Sequence, residues 1–355
     1  MIPIQQPVGA DARIRPPPNK KVRKIVTWIV VGGMFAIFLF DGLSVLLSGA
    51  WEKRYPVLAA DPAGEDVAGR VHFLNTDNSD CILLESRGRF ALVDSGWGSD
   101  NPNEKSHRPG CERRVLDYLK RVCAGPNGGS DGRVSLDFAL PTHYHYDHAG
   151  GFAGILADPA VEVGTVYLRE LYTGNQKPYE LEDWGIGETR RRIGDAALAR
   201  GFPVETVLPD KPFLLGDMTV RLLNLDSYEN PRLRGENDNS IVVLIECGGR
   251  KTLLCGDITA MHGLEKEIGR QAGPVDVLKL AHHGYSMSTT AAFLRATRPE
   301  LAVVTNGIGQ VYPNVRWNLA FFARIPLYSS VRDNGLAVTF SPEGKIWVTA
   351  NLHRP

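Results

Sequence analysis

Two kinds of apolar pattern divide the chain. Residues 25–47 read IVTWIVVGGMFAIFLFDGLSVLL, an apolar run with a single charge, Asp41, toward its far end. A run of about 20 residues is enough to cross a hydrocarbon core of roughly 30 Å. From Arg70 onward the apolar residues instead come in short runs broken by polar turns. Runs at 71–74, 81–84 and 90–93 predict successive strands. Val115, Leu116, Leu119 and Val122 share one face at helical spacing and predict a helix over 115–122. A Gly-rich loop at 125–133 leads to an apolar strand at 136–140, a helix beginning at 152–156 and a strand at 163–168. A charged helical segment covers 188–200, and strands resume at 213–215, 219–225, 241–246 and 252–255. A strand from Val275, a helix over 289–297 and a strand at 301–304 follow, then a hairpin of 335–340 with 345–349 around Pro342-Glu343-Gly344. Strands with helices between them predict a layered α/β domain. Pro56, Pro62 and Gly64 interrupt any period before it. The expected organisation is a basic disordered tail at 1–24, an anchor or signal segment at 25–47, a linker at 48–69 and a globular domain at 70–355.

Charge changes the picture at one end only. Forty basic and forty acidic residues cancel, so no global field argues for nucleic acid. The tail is different: Arg13, Arg15, Lys20, Lys21, Arg23 and Lys24 precede the apolar run, with Pro16-Pro17-Pro18 among them. The positive-inside bias keeps that tail in the cytoplasm and exports the rest, to the periplasm or the cell exterior. Ser48-Gly49-Ala50 also suits a signal-peptide cleavage point. The apolar run is longer than a signal core, which favours an uncleaved single-pass anchor. Five cysteines show no C-x-x-C spacing, which argues against a structural zinc knuckle. Cys247 and Cys255 lie in strand-like runs and read as buried thiols; Cys111 and Cys123 lie in a polar stretch where they could pair.

The candidate chemistry is concentrated in Thr142-His143-Tyr144-His145-Tyr146-Asp147-His148-Ala149-Gly150-Gly151. Three imidazoles and a carboxylate fall within six positions, and these are donors that zinc and similar ions prefer. Residues two apart on an extended segment point the same way, so His143 and His145 can share one ion. Asp147 and His148 follow as the chain bends, placed for a second ion. Paired ions suit a clamp on a nucleophile and a polar substrate.

The H-x-H-x-D-H pattern resembles the metal-binding loop of the metallo-β-lactamase superfamily, and Gly150-Gly151 resembles that family's tight turn into a helix. The order of later segments agrees. Leu92-Val93-Asp94-Ser95-Gly96 resembles the first motif, whose Asp orients the metal loop. Leu253-Leu254-Cys255-Gly256-Asp257 resembles the strand whose Asp bridges two ions. Leu278-Lys279-Leu280-Ala281-His282-His283-Gly284 resembles the last metal motif. The resemblance implies His283 as an ion ligand and His282 beside the substrate; the residues alone leave that choice open. It also implies an αββα four-layer sandwich, here with an N-terminal transmembrane helix, and two divalent ions, zinc first, with manganese or iron as alternatives.

Four further segments narrow the resemblance to the hydrolase domain of ComEC-type DNA-uptake proteins. They are residues 78–85 with Asp80 kept, 237–244, 282–289 and Asp333-Asn334-Gly335. The chain departs from the pattern in three places. No His lies between His148 and Asp257, where many members supply a third ligand to the first ion. The nearest candidates in that slot are Asn237, Asp238 and Asn239, with Asp238 as a supporting oxygen donor. Tyr312-Pro313 stands where the branch often has His-Pro, and Tyr312 is a candidate substrate contact or packing residue. The polytopic channel of ComEC-type proteins has no counterpart, so transport is not implied.

What the resemblance implies is a metal-dependent hydrolase. A hydroxide held by the ions would attack a small-molecule or polymeric phosphoester or phosphodiester, with Asp147 orienting it and His282 donating to the developing charge. Thioester, lactone or amide substrates are the alternative chemistry, and a membrane-tethered binding module with little turnover is the alternative class. Lys279 is a candidate phosphate contact. The consecutive Arg190, Arg191 and Arg192 cannot share one helix face and read as a solvated surface.

Overall fold

The computed structural model describes residues 20–100, 109–123, 132–230 and 232–353. Two compact units divide the chain, Met1–Leu43 and Ser44–Pro355. Helix α1, Lys20–Trp51, contains the apolar run and is long and apolar enough to cross a membrane. Lys20, Lys21, Arg23 and Lys24, expected in a disordered tail, are helical and precede the apolar run without a break. Lysine and arginine are good helix formers, which lets these four residues join the helix. Residues 1–19 of that tail, and most of the Gly-rich loop expected at 125–133, lie outside the described residues.

Seven strands come first: β1 Val57–Leu58, β2 Gly69–Phe73, β3 Cys81–Ser86, β4 Arg89–Ser95, β5 Val134–Leu140, β6 Val161–Tyr167 and β7 Val204–Glu205. Seven more build a second sheet: β8 Phe213–Leu215, β9 Met218–Leu223, β10 Val242–Cys247, β11 Arg250–Leu254, β12 Val277–Lys279, β13 Leu301–Val304 and β14 Leu327–Ser329. The chain then returns to the first sheet as the antiparallel hairpin β15 Leu336–Phe340 and β16 Ile346–Ala350, where β15 pairs with β2. The first sheet runs β1-β16-β15-β2-β3-β4-β5-β6-β7 and the second β14-β13-β12-β11-β10-β9-β8.

Period-two alternation sorts these strands into three apolar layers. Ile82, Leu84, Ala91 and Val93 meet Val220, Val243, Ile245 and Leu254 between the sheets. Leu83 and Leu92, one residue out of phase, face helices α2 Glu112–Val122, α4 Phe152–Ala157 and α6 Ile186–Ala199, with the one-turn helices α3 Tyr146–Ala149 and α5 Pro178–Glu182 nearby. Leu253, Leu278 and Ala302 on the outer face of the second sheet pack on α7 Leu264–Ala272, α8 Ala291–Thr297 and α9 Pro313–Trp317. Each fully buried Leu or Val contributes roughly 1.5–3 kcal/mol, so this register is strongly specified. The result is the αββα four-layer sandwich expected from the resemblance.

Three expectations are corrected. The stretch read as a linker is partly built into the domain: Trp51 Nε1 donates to Ala320 O at 3.3 Å, β1 pairs in parallel with β16, and Arg70 bridges Asp61 at 2.7 Å. Those pairings are made with residues far away in sequence, so no local period announces them. Helix α7 falls where no element was expected. All five cysteines are free. Cys111 and Cys123 flank the 11-residue helix α2, which at about 1.5 Å per residue holds them too far apart to bond.

Candidate metal centre

The site forms where strand ends from both sheets converge. In the first sheet, β4 and β5 run parallel and deliver Asp94 and the 142–148 loop side by side. In the second, β11 and β12 run parallel and deliver Asp257 and His282-His283. Ligands of open α/β sheets gather outside such C-terminal strand ends. Asp94, His282 and His283 all have positive φ, 57°, 50° and 50°, which turns the chain sharply at each strand end. The loop sits tight against β4 because two glycines allow it. A Cβ on Gly150 would lie 2.4 Å from Tyr146 O, and one on Gly151 2.7 Å from Ser95 O.

Four buried imidazoles meet there, and each has one ring nitrogen turned outward to a polar group. His148 Nδ1 lies 2.8 Å from Asp94 Oδ2, and that carboxylate also accepts from Thr142 N at 2.7 Å and Thr142 Oγ1 at 2.8 Å. His143 Nδ1 lies 3.1 Å from Thr142 Oγ1 and 3.3 Å from Ser240 Oγ. His283 Nδ1 lies 3.3 Å from Thr305 Oγ1 and 3.4 Å from Asp80 Oδ1. His145 is reversed, with Nε2 outward, 3.4 Å from Glu180 Oε1.

The inner nitrogens face one another. His148 Nε2 is 3.0 Å from His283 Nε2 and 3.2 Å from Asp257 Oδ1. His143 Nε2 is 3.2 Å from His145 Nδ1. His283 Nε2 is 3.4 Å from Asp147 Oδ2 and 3.5 Å from Asp257 Oδ2. Asp257 Oδ1 is buried without a hydrogen-bond partner among the described residues. Opposed lone pairs and an orphaned carboxylate oxygen need a cation or protons between them. Electrostatics agree. Burial pulls His283 down, yet Asp257 and Asp80 push it up to about 9. Burial likewise opposes protonation of His148, but Asp257, Asp80 and Asp94 raise it well above its ordinary value. Asp147 is brought down to about 2 against its burial by His283 and His148. His143 stays neutral, since burial and the neighbouring His148 and His145 hold it far below the usual range. His143, His148 and Asp257 form a group that can hold a metal ion, and the donor set fits a divalent cation.

Asp80, His148 and His283 also cluster tightly enough to hold an ion. Asp80 already has a cation, however. Lys279 Nζ pairs with it, donates to Gly256 O at 3.1 Å and lies 3.9 Å from Asp257 Oδ1, while Thr305 Oγ1 donates to its other oxygen. Asp80 therefore orients His283 and His148 from behind.

A family model of the metallo-beta-lactamase superfamily matches residues 74–307, well over half of the chain. The chain belongs to the metallo-β-lactamase superfamily. That superfamily is one of metal-dependent hydrolases, and the enzyme reading stands on this membership. Among curated proteins, the chain is similar to Recombination protein 2 of Haemophilus influenzae, 28% identical over 70% of this chain and 24% of that protein. It is similar to ComE operon protein 3 of Bacillus subtilis, 25% identical over 78% of this chain and 35% of that protein. It is also similar to Competence protein ComA of Neisseria gonorrhoeae, 35% identical over 53% of this chain and 22% of that protein. The chain thus spans between 22% and 35% of the length of these relatives. Among solved structures, the metallo-beta-lactamase fold protein YhfI from Bacillus subtilis matches 79% of this chain and 98% of its own, at 12% identity and a TM-score of 0.47.

Within this superfamily member, the structure brings His143, His145, Asp147, His148, Asp257 and His283 together, with Asp94 beside His148. It also separates the two adjacent histidines. His283 is buried with Nε2 inward, whereas His282 sits at the rim, its Nε2 3.3 Å from Asn237 Nδ2 and 3.9 Å from Asp257 Oδ2. Burial lowers the pKa of His282 and keeps it neutral. Asp238 is turned away from the histidines. It accepts from Thr259 Oγ1 at 2.8 Å and Arg234 N at 3.1 Å, and faces His262 Nδ1 at 3.4 Å. Asn237 is the residue of that slot at the site. Lys279 is fully buried behind Asp80, so it contacts no substrate phosphate. Arg190, Arg191 and Arg192 are engaged by Glu170, Glu188, Asp195 and Asp100. Tyr312, 45% exposed, packs edge-on against Tyr285 at 5.8 Å, and Tyr285 in turn stands 5.3 Å from His282. Beside His145, Trp184 packs edge-on against the imidazole at 4.9 Å and Tyr179 against Trp184 at 4.9 Å. Thr305, Glu180 and Trp184 carried no motif by which sequence alone could have placed them here.

Proposed function

We propose that this chain hydrolyses phosphoesters, phosphodiesters first, at a centre of two divalent ions held by His143, His145, Asp147, His148, Asp257 and His283. The observation that carries this reading is the convergence of four outward-anchored imidazoles on Asp257 and Asp147. Bound divalent ions would supply Lewis acidity and a deprotonated water at neutral pH. The oxygen share of the donor set suits manganese or iron as well as zinc. Asp257 turns one oxygen toward His148 and the other toward His283, as a carboxylate shared between two ions would. Asp147, ionised across the neutral range, accepts a hydrogen bond from the attacking water and aims it. His282, neutral and at the rim, donates toward charge developing on the phosphoryl or leaving-group oxygen. His282 and Asn237 leave the open side of the centre polar.

A polymeric substrate is favoured by two further observations. The relatives are named for recombination and competence, and aromatic pairs stand beside the centre, Trp184 with Tyr179 at His145 and Tyr285 with Tyr312 at His282. Base stacking on such rings is sequence-tolerant, because every base has a π-face. We also place the basic tail in the cytoplasm and residues 48–355 across the membrane, which proteolysis of intact and opened cells checks.

The full chain, purified in detergent, is assayed for metal content and for turnover of bis-p-nitrophenyl phosphate and a single-stranded oligonucleotide. About two ions per chain with chelator-sensitive turnover supports the proposal. Bound metal with no turnover of either substrate sinks it in favour of a binding module.

A further inference from the structure

The histidine that breaks the pattern is His145, which turns Nδ1 toward His143 and Nε2 away. Neutral imidazole carries one N–H and one lone pair, and the group beside one nitrogen decides which nitrogen keeps the proton. His148 has Asp94, His283 has Thr305 and Asp80, and His143 has Thr142 and Ser240 for that purpose. For His145 the group in place is Glu180, from a short helix that carries none of the metal-site motifs.

We propose that Glu180 is a positioning residue that accepts a hydrogen bond from the Nε2–H of His145, keeps the ring proton on that nitrogen and so leaves Nδ1 as the ion donor. The inference rests on His145 being an ion ligand, as read above. Glu180 is 1% exposed, and its Oε1 lies 3.4 Å from His145 Nε2. That nitrogen is buried with no hydrogen-bond partner among the described residues, so a small ring rotation onto Glu180 satisfies it. The carboxylate is itself held. Oε2 accepts from Lys177 N at 2.9 Å, and both oxygens lie 3.3 Å from Glu236 N. Gly235 makes the approach possible, since a Cβ there would stand 2.9 Å from Glu180 Oε1. Trp184, two residues past the helix end, packs its indole edge-on against the same imidazole. The ring is thus fixed by a carboxylate at one edge and by an indole beside it. This matters because no further His lies between His148 and Asp257. With fewer imidazoles at the first ion, more of its affinity depends on His145 presenting the right nitrogen.

Glu180 also supports Glu236, whose Oε1 accepts from Tyr144 N at 3.0 Å, so a purely structural role must be separated from this one. The experiment is a double-mutant cycle on metal affinity, read by competition of zinc between the full-length protein and a chromophoric chelator. The variants are Glu180→Gln, His145→Ala and the pair. Glu180→Gln keeps the shape, but its amide can donate to Nε2 and reverse the tautomer. It is expected to weaken one ion about 10–100-fold, leave the other unchanged and leave the melting temperature of the metal-free protein in place. In the His145→Ala background the same change is expected to add no further loss. Parental affinity in Glu180→Gln overturns the proposal, and so does an equal loss with His145 absent, which would mark support of the loop. If His145→Ala itself retains both ions at full affinity, the ligand set falls as well. Substrate turnover plays no part in these readings, so failure of the phosphodiester reading would show separately.

Discussion

His148 joins the two halves of the centre, with Asp94 at Nδ1 and His283 and Asp257 at Nε2. Asp94→Asn is expected to cut metal affinity about 10–100-fold, because the amide no longer holds the ring or raises its basicity. Chelator competition measures it. The two adjacent histidines are expected to separate in the same assay: His283→Ala loses an ion, whereas His282→Ala keeps both ions and loses turnover, about 10²–10³-fold if its donated bond acts on the transition state. Another residue gives a pH dependence away from the metal. His353 Nε2 accepts from Asn75 N at 2.9 Å, and burial with Arg114 and Arg121 nearby pushes it down to about 4. Unfolded, it titrates near 6.5. Between those values the unfolded chain binds a proton that the folded chain refuses, so stability falls as pH drops through that window. Melting curves against pH should be flatter in this range for His353→Gln. The metal loop was legible because its donors are contiguous. Asp80 could be quoted but not interpreted, since its partners Lys279, Thr305 and His283 come from strands far along the chain.

Strands and helices were legible wherever one side of an element is buried and the other is not. The 115–122 helix and the 81–84 and 90–93 strands extend by a few residues at most, because alternation and helical spacing report burial directly. The charged 188–200 segment likewise falls within α6 except for Arg200, its C-cap. The edge strand β1 and helix α7 were not legible. β1 is two residues long and exists only through β16, while α7 has nine residues and an apolar stripe of only Leu264, Ile268 and Ala272, one residue per turn. Leu84→Ala, between the sheets, is expected to cost about 2–5 kcal/mol in denaturant unfolding of the metal-free protein. Gly98→Val tests the joint between β4 and the metal loop. A Cβ at Gly98 would stand 2.2 Å from Gly150 O, so the loop must shift, and metal affinity is expected to fall even where the protein still folds.

Across the whole molecule, the centre is assembled from both sheets, so ions bound there tie the halves of the sandwich together. An ion present at 100 times its dissociation constant adds about 2.7 kcal/mol to unfolding. Chelation is therefore expected to lower the melting temperature of the parent protein and to leave that of His143→Ala/His283→Ala nearly unmoved. The sequence alone determined what local order can encode: an apolar run long enough for a membrane, a strand and helix pattern that sets a layered α/β domain, and a contiguous donor motif that announces metal. Only the tertiary structure decided which nitrogen of each imidazole faces inward, that His283 and not His282 is buried among the donors, that Asp238 and Lys279 serve other partners, and that Glu180 stands against His145. The physical reason is that a ring's orientation and a carboxylate's charge are set by neighbours across space: Thr305 lies 22 positions from His283, which it meets, and 225 from Asp80, to which it donates.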